Sequence, residues 1–293
     1  MDIDTLRAFV AVADAQSFSR AASRLHLTQP AVSKRISALE QDLDSRLFDR
    51  VGRRVTLTES GRKLLPRARS LLLEISDIRR QILNLSGAVS GRLSMGTSHH
   101  IGLHRLPPAL RTFSQAHPRV ELDIRFMDSE ICCSAVLKGE LEVGIVTLPL
   151  KPPDELRLQV LWVDPLETVV GKTHPLAGAP RIDMPHLLDH RAVLPGPDTF
   201  TRELLHNALG TMSDRLTVGM STNYLETLKM LATAGLGWTL LPRVMLDDSL
   251  VPLEIKGLGL QRALGIATHR DRTLSNAARA MVATCEAVAS RAR

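Results

Sequence analysis

Aromatic side chains are the first shortage: six Phe, two Trp and one Tyr make up 3% of 293 residues. A stacking platform for single-stranded nucleic acid is built on aromatic rings, so that class of binding is excluded. Cysteine is nearly absent too, with Cys132, Cys133 and Cys285 alone. Adjacent Cα atoms stand about 3.8 Å apart, short of the ~4.4–6.8 Å of ordinary disulfides, so Cys132 and Cys133 do not suit a bridge. Buried small hydrophobes are the plain reading of all three, with a redox switch as the alternative. No apolar run approaches the ~18 residues that span a bilayer. The opening MDIDTLRAFV lacks the basic stretch and apolar core of a signal peptide. These absences lead to the expectation of a reduced, cytoplasmic protein with no membrane partner.

What remains is ordinary globular material, 44% hydrophobic and 23% charged, long enough for two or three domains with real cores. The net charge of +6 and pI near 9.6 make a polyanionic partner plausible.

A more local absence sharpens that point. LTQPAVSKRISALE (27–40) opens with a good N-cap, Thr28, and a proline tolerated in the first turn, so a helix is predicted there. Val32, Ile36, Leu39 and Leu43 form its apolar stripe. Its other face leads with hydrogen-bonding groups and has no acid in the first turn. Two short apolar stretches precede it: Leu6, Phe9, Val10 and Ala13, then a helix from Ser17 or Ser19 through RAASRL whose Ala21 and Ala22 allow close packing. Together these are the ingredients of a helix-turn-helix, which presents the start of its second helix to the major groove. Gln pairs with adenine N6/N7, Lys with guanine O6/N7, and Ser with base edges or phosphates. The candidate DNA-reading set is therefore Thr28, Gln29, Pro30, Ser33, Lys34 and Ser37. RLFDRVGRRVTLTESG then suggests a small hairpin, or wing, turning at Val51–Gly52. From Arg50 to Arg69 there are seven basic residues and one acid, Glu59. Arg50, Arg53 and Arg54 on the wing are candidate phosphate contacts, which add salt-dependent affinity without reading sequence.

From Thr58 a long helix is predicted, with Pro66 delaying or bending it. Leu64, Ala68, Leu71, Ile75, Ile78, Ile82 and Leu85 keep heptad spacing, a seam suited to a second copy of the chain; packing on its own domain is the alternative. SGAVSG (86–91) is a flexible connector. Beyond it strands and helices alternate: RLSMGT, a helix striped by Leu103, Leu106, Leu110 and Phe113, then VELDIRF, EICCSAVLKG and EVGIVT. This rhythm predicts a parallel sheet covered on both faces. LPLKPP (148–153) looks like a crossing.

The first 61 residues, and above all SFSRAASRLHLTQPAVS and LFDR…LTESG, resemble the LysR-type transcriptional regulators. One departure is Asp44, where many members carry glycine. The resemblance implies an α+β multidomain protein: a winged helix-turn-helix DNA-binding domain (1–61), a dimerisation helix and connector (62–91), and a two-lobed α/β effector domain like a periplasmic binding protein (92–293). Lobe one would be 92–161 plus 267–293, and lobe two 162–266. It further implies a double-stranded operator, a homodimer built into a homotetramer, RNA polymerase as a further partner to consider, and a small co-inducer in the cleft. Matching cleft positions are Ser98, His99, Thr147, Gly196, Thr199, Phe200 and Thr201, with Thr222 or Asn223 beside them; His100 adds a donor. Ser98 and the N–H groups after it favour a small anion.

Rival readings are weaker. GTSHH (96–100) lacks the last glycine of a G-x-S-x-G elbow, so no catalytic residue is assigned. His100 and His104 stand four apart, but the glutamate of H-E-x-x-H is missing, so no metal is assigned. GLGLQR (257–262) lacks the third glycine of a dinucleotide fingerprint and reads as a turn, and no cofactor is expected. A solute-binding protein with the same lobes would need an export signal. An effector-independent regulator with an empty cleft stays open.

Overall fold

The computed structural model describes residues 1–51, 54–179 and 181–291, apart from the side chains of residues 50, 51 and 54. The chain divides into two units, residues 1–85 and 86–293.

In the first unit, α1 (Ile3–Ala15) starts at a capping box in which Asp2 Oδ1 accepts from the Thr5 N–H at 2.7 Å. Ser17 caps α2 (Phe18–Arg24), and Thr28 caps α3 (Gln29–Asp42). Phe9, Val12, Ala21, Val32 and Ile36 lie wholly inside one cluster, with the Phe48 ring 5.4 Å from Phe9 and 5.9 Å from Phe18. Leu43 departs from the predicted stripe: it is the exposed C-cap of α3. Beyond it Asp44 adopts φ 45°, a left-handed conformation that glycine takes without cost, which explains glycine's suitability here.

Strands β1 (Phe48–Val51) and β2 (Arg54–Leu57) pair antiparallel. Glu40 Oε1 ties α3 to this hairpin by accepting from the N–H groups of Leu47 (2.7 Å) and Phe48 (3.3 Å). Helix α4 (Glu59–Asn84) starts at once from Thr58 and runs through Pro66 without interruption. A Cβ on Gly61 would lie 2.2 Å from the Leu47 carbonyl oxygen, so only glycine lets α4 pass this close to the hairpin. Ala68 is buried, whereas Leu71 (46%), Ile78 (49%), Ile82 (63%) and Leu85 (86%) stay exposed in the single chain.

The second unit begins with β3 (Gly91–Thr97), α5 (His99–His104), α6 (Pro107–Ala116), β4 (Val120–Phe126), α7 (Ser129–Leu137) and β5 (Val143–Thr147). The stripe predicted as one helix is split at Pro107, which starts α6; Leu103 is consequently exposed while Leu106 and Phe113 are buried. The long β6 (Leu156–Gly171) leads to β7 (Arg181–Ile182), α8 (Met184–Leu188), β8 (Ala192–Leu194), α9 (Phe200–Leu209), β9 (Val218–Ser221), α10 (Leu225–Thr233), β10 (Thr239–Pro242) and β11 (Leu250–Ile255). The return strand β12 (Leu260–His269) and α11 (Asn276–Arg291) follow.

The main sheet runs β4-β3-β5-β12-β6-β11-β7, with β10 also on β6. The parallel prediction holds for β3, β4 and β5. It fails for β12, which is antiparallel to both β5 and β6 because β6 and β12 are the two strands that cross between lobes in opposite directions. Leu161 is the extra residue of a bulge where the register shifts between Leu264 and Gly265. A Cβ on Gly265 would meet the Gln159 carbonyl at 2.0 Å, so this close pairing also requires glycine. Each lobe has its own core, one around Met95, Ile145, Phe113 and Met281, the other around Val170, Leu205, Trp238 and Leu240.

Candidate functional site

At the start of α3, Thr28, Gln29, Pro30, Lys34 and Ser37 are exposed and Ser33 is half-buried. Thr28 Oγ1 accepts from the Ala31 N–H at 3.4 Å, which fixes where the helix begins. Gln29 Nε2 donates to Ser33 Oγ at 2.9 Å, so these two polar groups are held side by side on the open face. The first turn carries no acid, and the positive end of the helix dipole favours phosphate there. Of the wing candidates, Arg53 and the side chains of Arg50 and Arg54 lie outside the described residues.

In the second unit a polar cleft of about 50 Å³ opens between the lobes. Ser98, His99, His100, Thr147, Thr199 and Thr201 all line it. Ser98 is the N-cap of α5, yet its hydroxyl makes no capping hydrogen bond. The Thr147 N–H donates to Ser129 Oγ at 3.0 Å. Thr199 Oγ1 caps α9 by accepting from the Arg202 N–H at 3.3 Å. Two expected positions fall outside this lining. Gly196 gives its N–H to Asn223 Oδ1 at 2.8 Å, and Phe200 lines a neighbouring apolar cavity with Leu158, Val160 and Leu204.

The strongest feature of the cleft was not foreseen. Arg262 closes GLGLQR, but that segment is a turn only at its start: Leu260–Arg262 already belong to β12, and the Arg262 guanidinium is buried on the cleft wall. Its Nε donates to Asp164 Oδ2 at 2.9 Å and its Nη1 to Thr201 Oγ1 at 3.2 Å. Asp164 is 1% exposed and is also approached by Arg105 Nη2 at 3.4 Å. Burial pulls the Arg262 pKa down, and the Asp164 carboxylate opposes that pull. His100 stands 4.0 Å from Asp164 with both ring nitrogens lacking a hydrogen-bond partner. Burial, then the charge of Arg262, lowers its pKa to about 3, so it is a neutral imidazole at physiological pH.

Several contacts hold the lobes together across the cleft. Asn223 Nδ2 donates to Asp128 Oδ2 at 2.7 Å, and the Phe200 N–H donates to Glu130 Oε1 at 2.5 Å. Burial raises the Glu130 pKa, opposed by that N–H. The rings of His99 and Tyr224 meet edge to face at 4.8 Å.

The cysteines answer the redox alternative. All three are free and buried, and burial pushes each thiol to about 12, far from a reactive thiolate. Cys132 Sγ fills the space that a Cβ on Gly96 or Gly144 would take, at 2.4 and 2.9 Å. Gly96 in GTSHH thus serves strand packing rather than a nucleophile elbow. Among the described residues no helix is long and apolar enough to cross a membrane.

The comparisons with known proteins agree with this division. Residues 3–62 match the bacterial regulatory helix-turn-helix protein, lysR family, and residues 86–290 match the LysR substrate binding domain. The chain is 67% identical over 108 residues, 37% of its length and 75% of the relative's, to an uncharacterized HTH-type transcriptional regulator from Azotobacter vinelandii. It is 31% identical over 256 residues, covering 85% of this chain and 86% of the other, to the uncharacterized HTH-type transcriptional regulator YnfL of Escherichia coli. Among solved structures, full-length OxyR from Pseudomonas aeruginosa superposes with a TM-score of 0.66 at 22% identity, covering 98% of each chain. CbnR in complex with its target DNA gives 0.60 at 19% identity, over 98% of this chain and all of that one, at 100%. These relatives are named as regulators, not enzymes, and two domain matches in sequence order carry the conclusion. The chain belongs to the LysR family and is a DNA-binding transcriptional regulator with an effector-binding domain.

Proposed function

We propose that this regulator binds a double-stranded operator as a homodimer, assembled into a homotetramer in the cytoplasm. A small anion in the interlobe cleft modulates its operator binding or activation. In this reading residues 1–61 bind DNA, 62–91 dimerise, and 92–293 sense the effector. Lobe one comprises 92–161 with 267–293, and lobe two 162–266. The observation that carries the effector reading is the Ser98 hydroxyl, which lines the cleft free of any capping duty. Arg262 supports it from the opposite wall, where its guanidinium, held by Asp164 and Thr201, adds positive charge to the cleft lining. Asp128 and Glu130 also line the cleft, which favours an anion small enough to sit at the Ser98 end.

Replacing Ser98 with alanine removes a hydrogen bond to a charged ligand, expected to be worth about 1.5–3 kcal/mol, or roughly 10–100-fold in affinity. A thermal-shift panel of small carboxylates, sulfate and phosphate identifies a stabilising anion. The Ser98→Ala variant should lose that response and still bind operator. An undiminished response rejects Ser98 as the anchor. The tightness of the cleft favours one alternative, an effector-independent regulator, which predicts that no anion in the panel stabilises the wild type.

On the DNA side, Gln29, Ser33 and Lys34 read bases, while Arg53 and Arg54 hold phosphate. Gln29→Ala should cost about 1–3 kcal/mol and relax preference at one operator position. Arg53→Ala should weaken all sequences alike and reduce the salt slope. Binding-site selection in which both variants change specificity in the same way would reject this division.

A further inference from the structure

The fold brings His100 and His104 of α5 in lobe one to Glu226 of α10 in lobe two, 122 residues away from His104 in sequence. His104 Nε2 and Glu226 Oε1 are 3.2 Å apart, and the two imidazole rings, one helical turn from each other, have centroids 4.9 Å apart. One ligand atom from each of the three side chains fits within a sphere of contacts no longer than 4.8 Å. We propose that His100, His104 and Glu226 form a divalent transition-metal site of the zinc class, which ties α5 to α10 across the mouth of the cleft.

Two imidazoles and one carboxylate suit zinc, with a fourth position open to water or to an incoming ligand. Magnesium and calcium would ask for an oxygen shell that these residues do not offer. Donor atoms around tetrahedral zinc stand roughly 3.4 Å apart, so the present arrangement needs side-chain movements of at most about 1.5 Å. His100 is buried with neither ring nitrogen hydrogen-bonded, an arrangement that costs free energy unless something uses them. A ligating imidazole commonly hands its second N–H to a carboxylate, and Asp164, 4.0 Å from His100 Nε2, is placed to receive it. His104 and Glu226 are exposed, which leaves an entry path. The nearby cations do not forbid the ion. Arg262 and Arg105 both point at Asp164, at 2.9 and 3.4 Å, so the Glu226 carboxylate, which faces His104, is left for the ion.

The test uses the full-length protein freed of metal with a chelator. Zinc is titrated in competition with a chromophoric chelator, and cobalt(II) serves as a spectroscopic substitute. The expected result is one tight equivalent per chain, a cobalt d–d absorption of low coordination number, and a zinc-dependent rise in the unfolding midpoint. His104→Ala and Glu226→Gln, both at exposed positions, should each weaken zinc by at least about 10-fold and abolish the thermal effect. His186→Ala is the control, because His174, His186 and His190 form a second histidine cluster, with ring centroids 5.3 and 5.8 Å apart. Absence of a stoichiometric zinc site in the wild type overturns the proposal. So does binding that survives in His104→Ala and Glu226→Gln, or that disappears in His186→Ala. Because metal alone is the probe, the result is independent of whether an anionic effector exists.

Discussion

Glutamate at Ile75, Ile78 and Ile82 together is expected to leave a monomer whose operator affinity is about 10²–10⁴-fold lower, the range that linkage of two binding units supplies. These positions continue the apolar seam of α4, and in the single chain Ile78 and Ile82 are about half or more exposed. A run of Leu71, Ile78, Ile82 and Leu85 left in water along one helix is costly unless another surface covers it. Heptad spacing makes a second α4 the fitting cover. In that pairing each introduced carboxylate would be buried without a partner, which is far more expensive than the lost apolar contact. The winged domain itself should survive, because its core is built from Phe9, Val12, Ile36 and Phe48 and does not include these isoleucines. Analytical ultracentrifugation gives the association state and a gel-shift titration gives the affinity. A triple variant that sediments as an intact dimer would falsify the seam assignment.

How much of this could be read from the chain depends on how local the governing interaction is. The stripe Val32, Ile36 and Leu39 and the caps Ser17 and Thr28 were legible because a helix is decided within one or two turns. Leu43 and Leu103 kept the right spacing but not the right burial, since a helix end and the break at Pro107 turned them outward. Strand direction was legible for β3 to β5, where helices alternate regularly. It was not legible for β6 and β12, whose pairing joins residues about a hundred positions apart. The cleft shows the same limit. Ser98 and Thr147 sit at strand ends, where ligand positions can be anticipated. Asn223, one of the two alternatives expected there, also lines the cleft, but Arg262, Asp164 and Glu226 are linked by no local pattern; only the crossing strands and the approach of α10 to α5 bring them together. The basic residue in GLGLQR was visible as a composition fact, but its role depends on Asp164, 98 positions away.

That ion pair supports the second large prediction. Arg262→Met keeps side-chain volume but leaves Asp164, 1% exposed, without its closest partner. Breaking a buried pair by removing one member costs about 3–5 kcal/mol, whereas replacing both by apolar residues is often neutral or stabilising. Arg105 stays 3.4 Å from Asp164 and offsets part of the loss, which places the expected value toward the lower end of that range. The measurement is unusually well isolated. The chain has two tryptophans, Trp162 and Trp238, and both belong to the effector unit, so tryptophan fluorescence during urea unfolding reports that unit alone. The single variant should lower its midpoint sharply while the helix-turn-helix retains its helical signal. Combining Arg262→Met with Asp164→Leu should recover most of the stability, because no charge is then left buried. If the single variant lost less than about 1 kcal/mol, the value typical of an exposed pair, the buried-pair account of the cleft wall would fail. A double variant as unstable as the single one would instead mean that Arg262 stabilises the fold through Thr201 and packing rather than through Asp164.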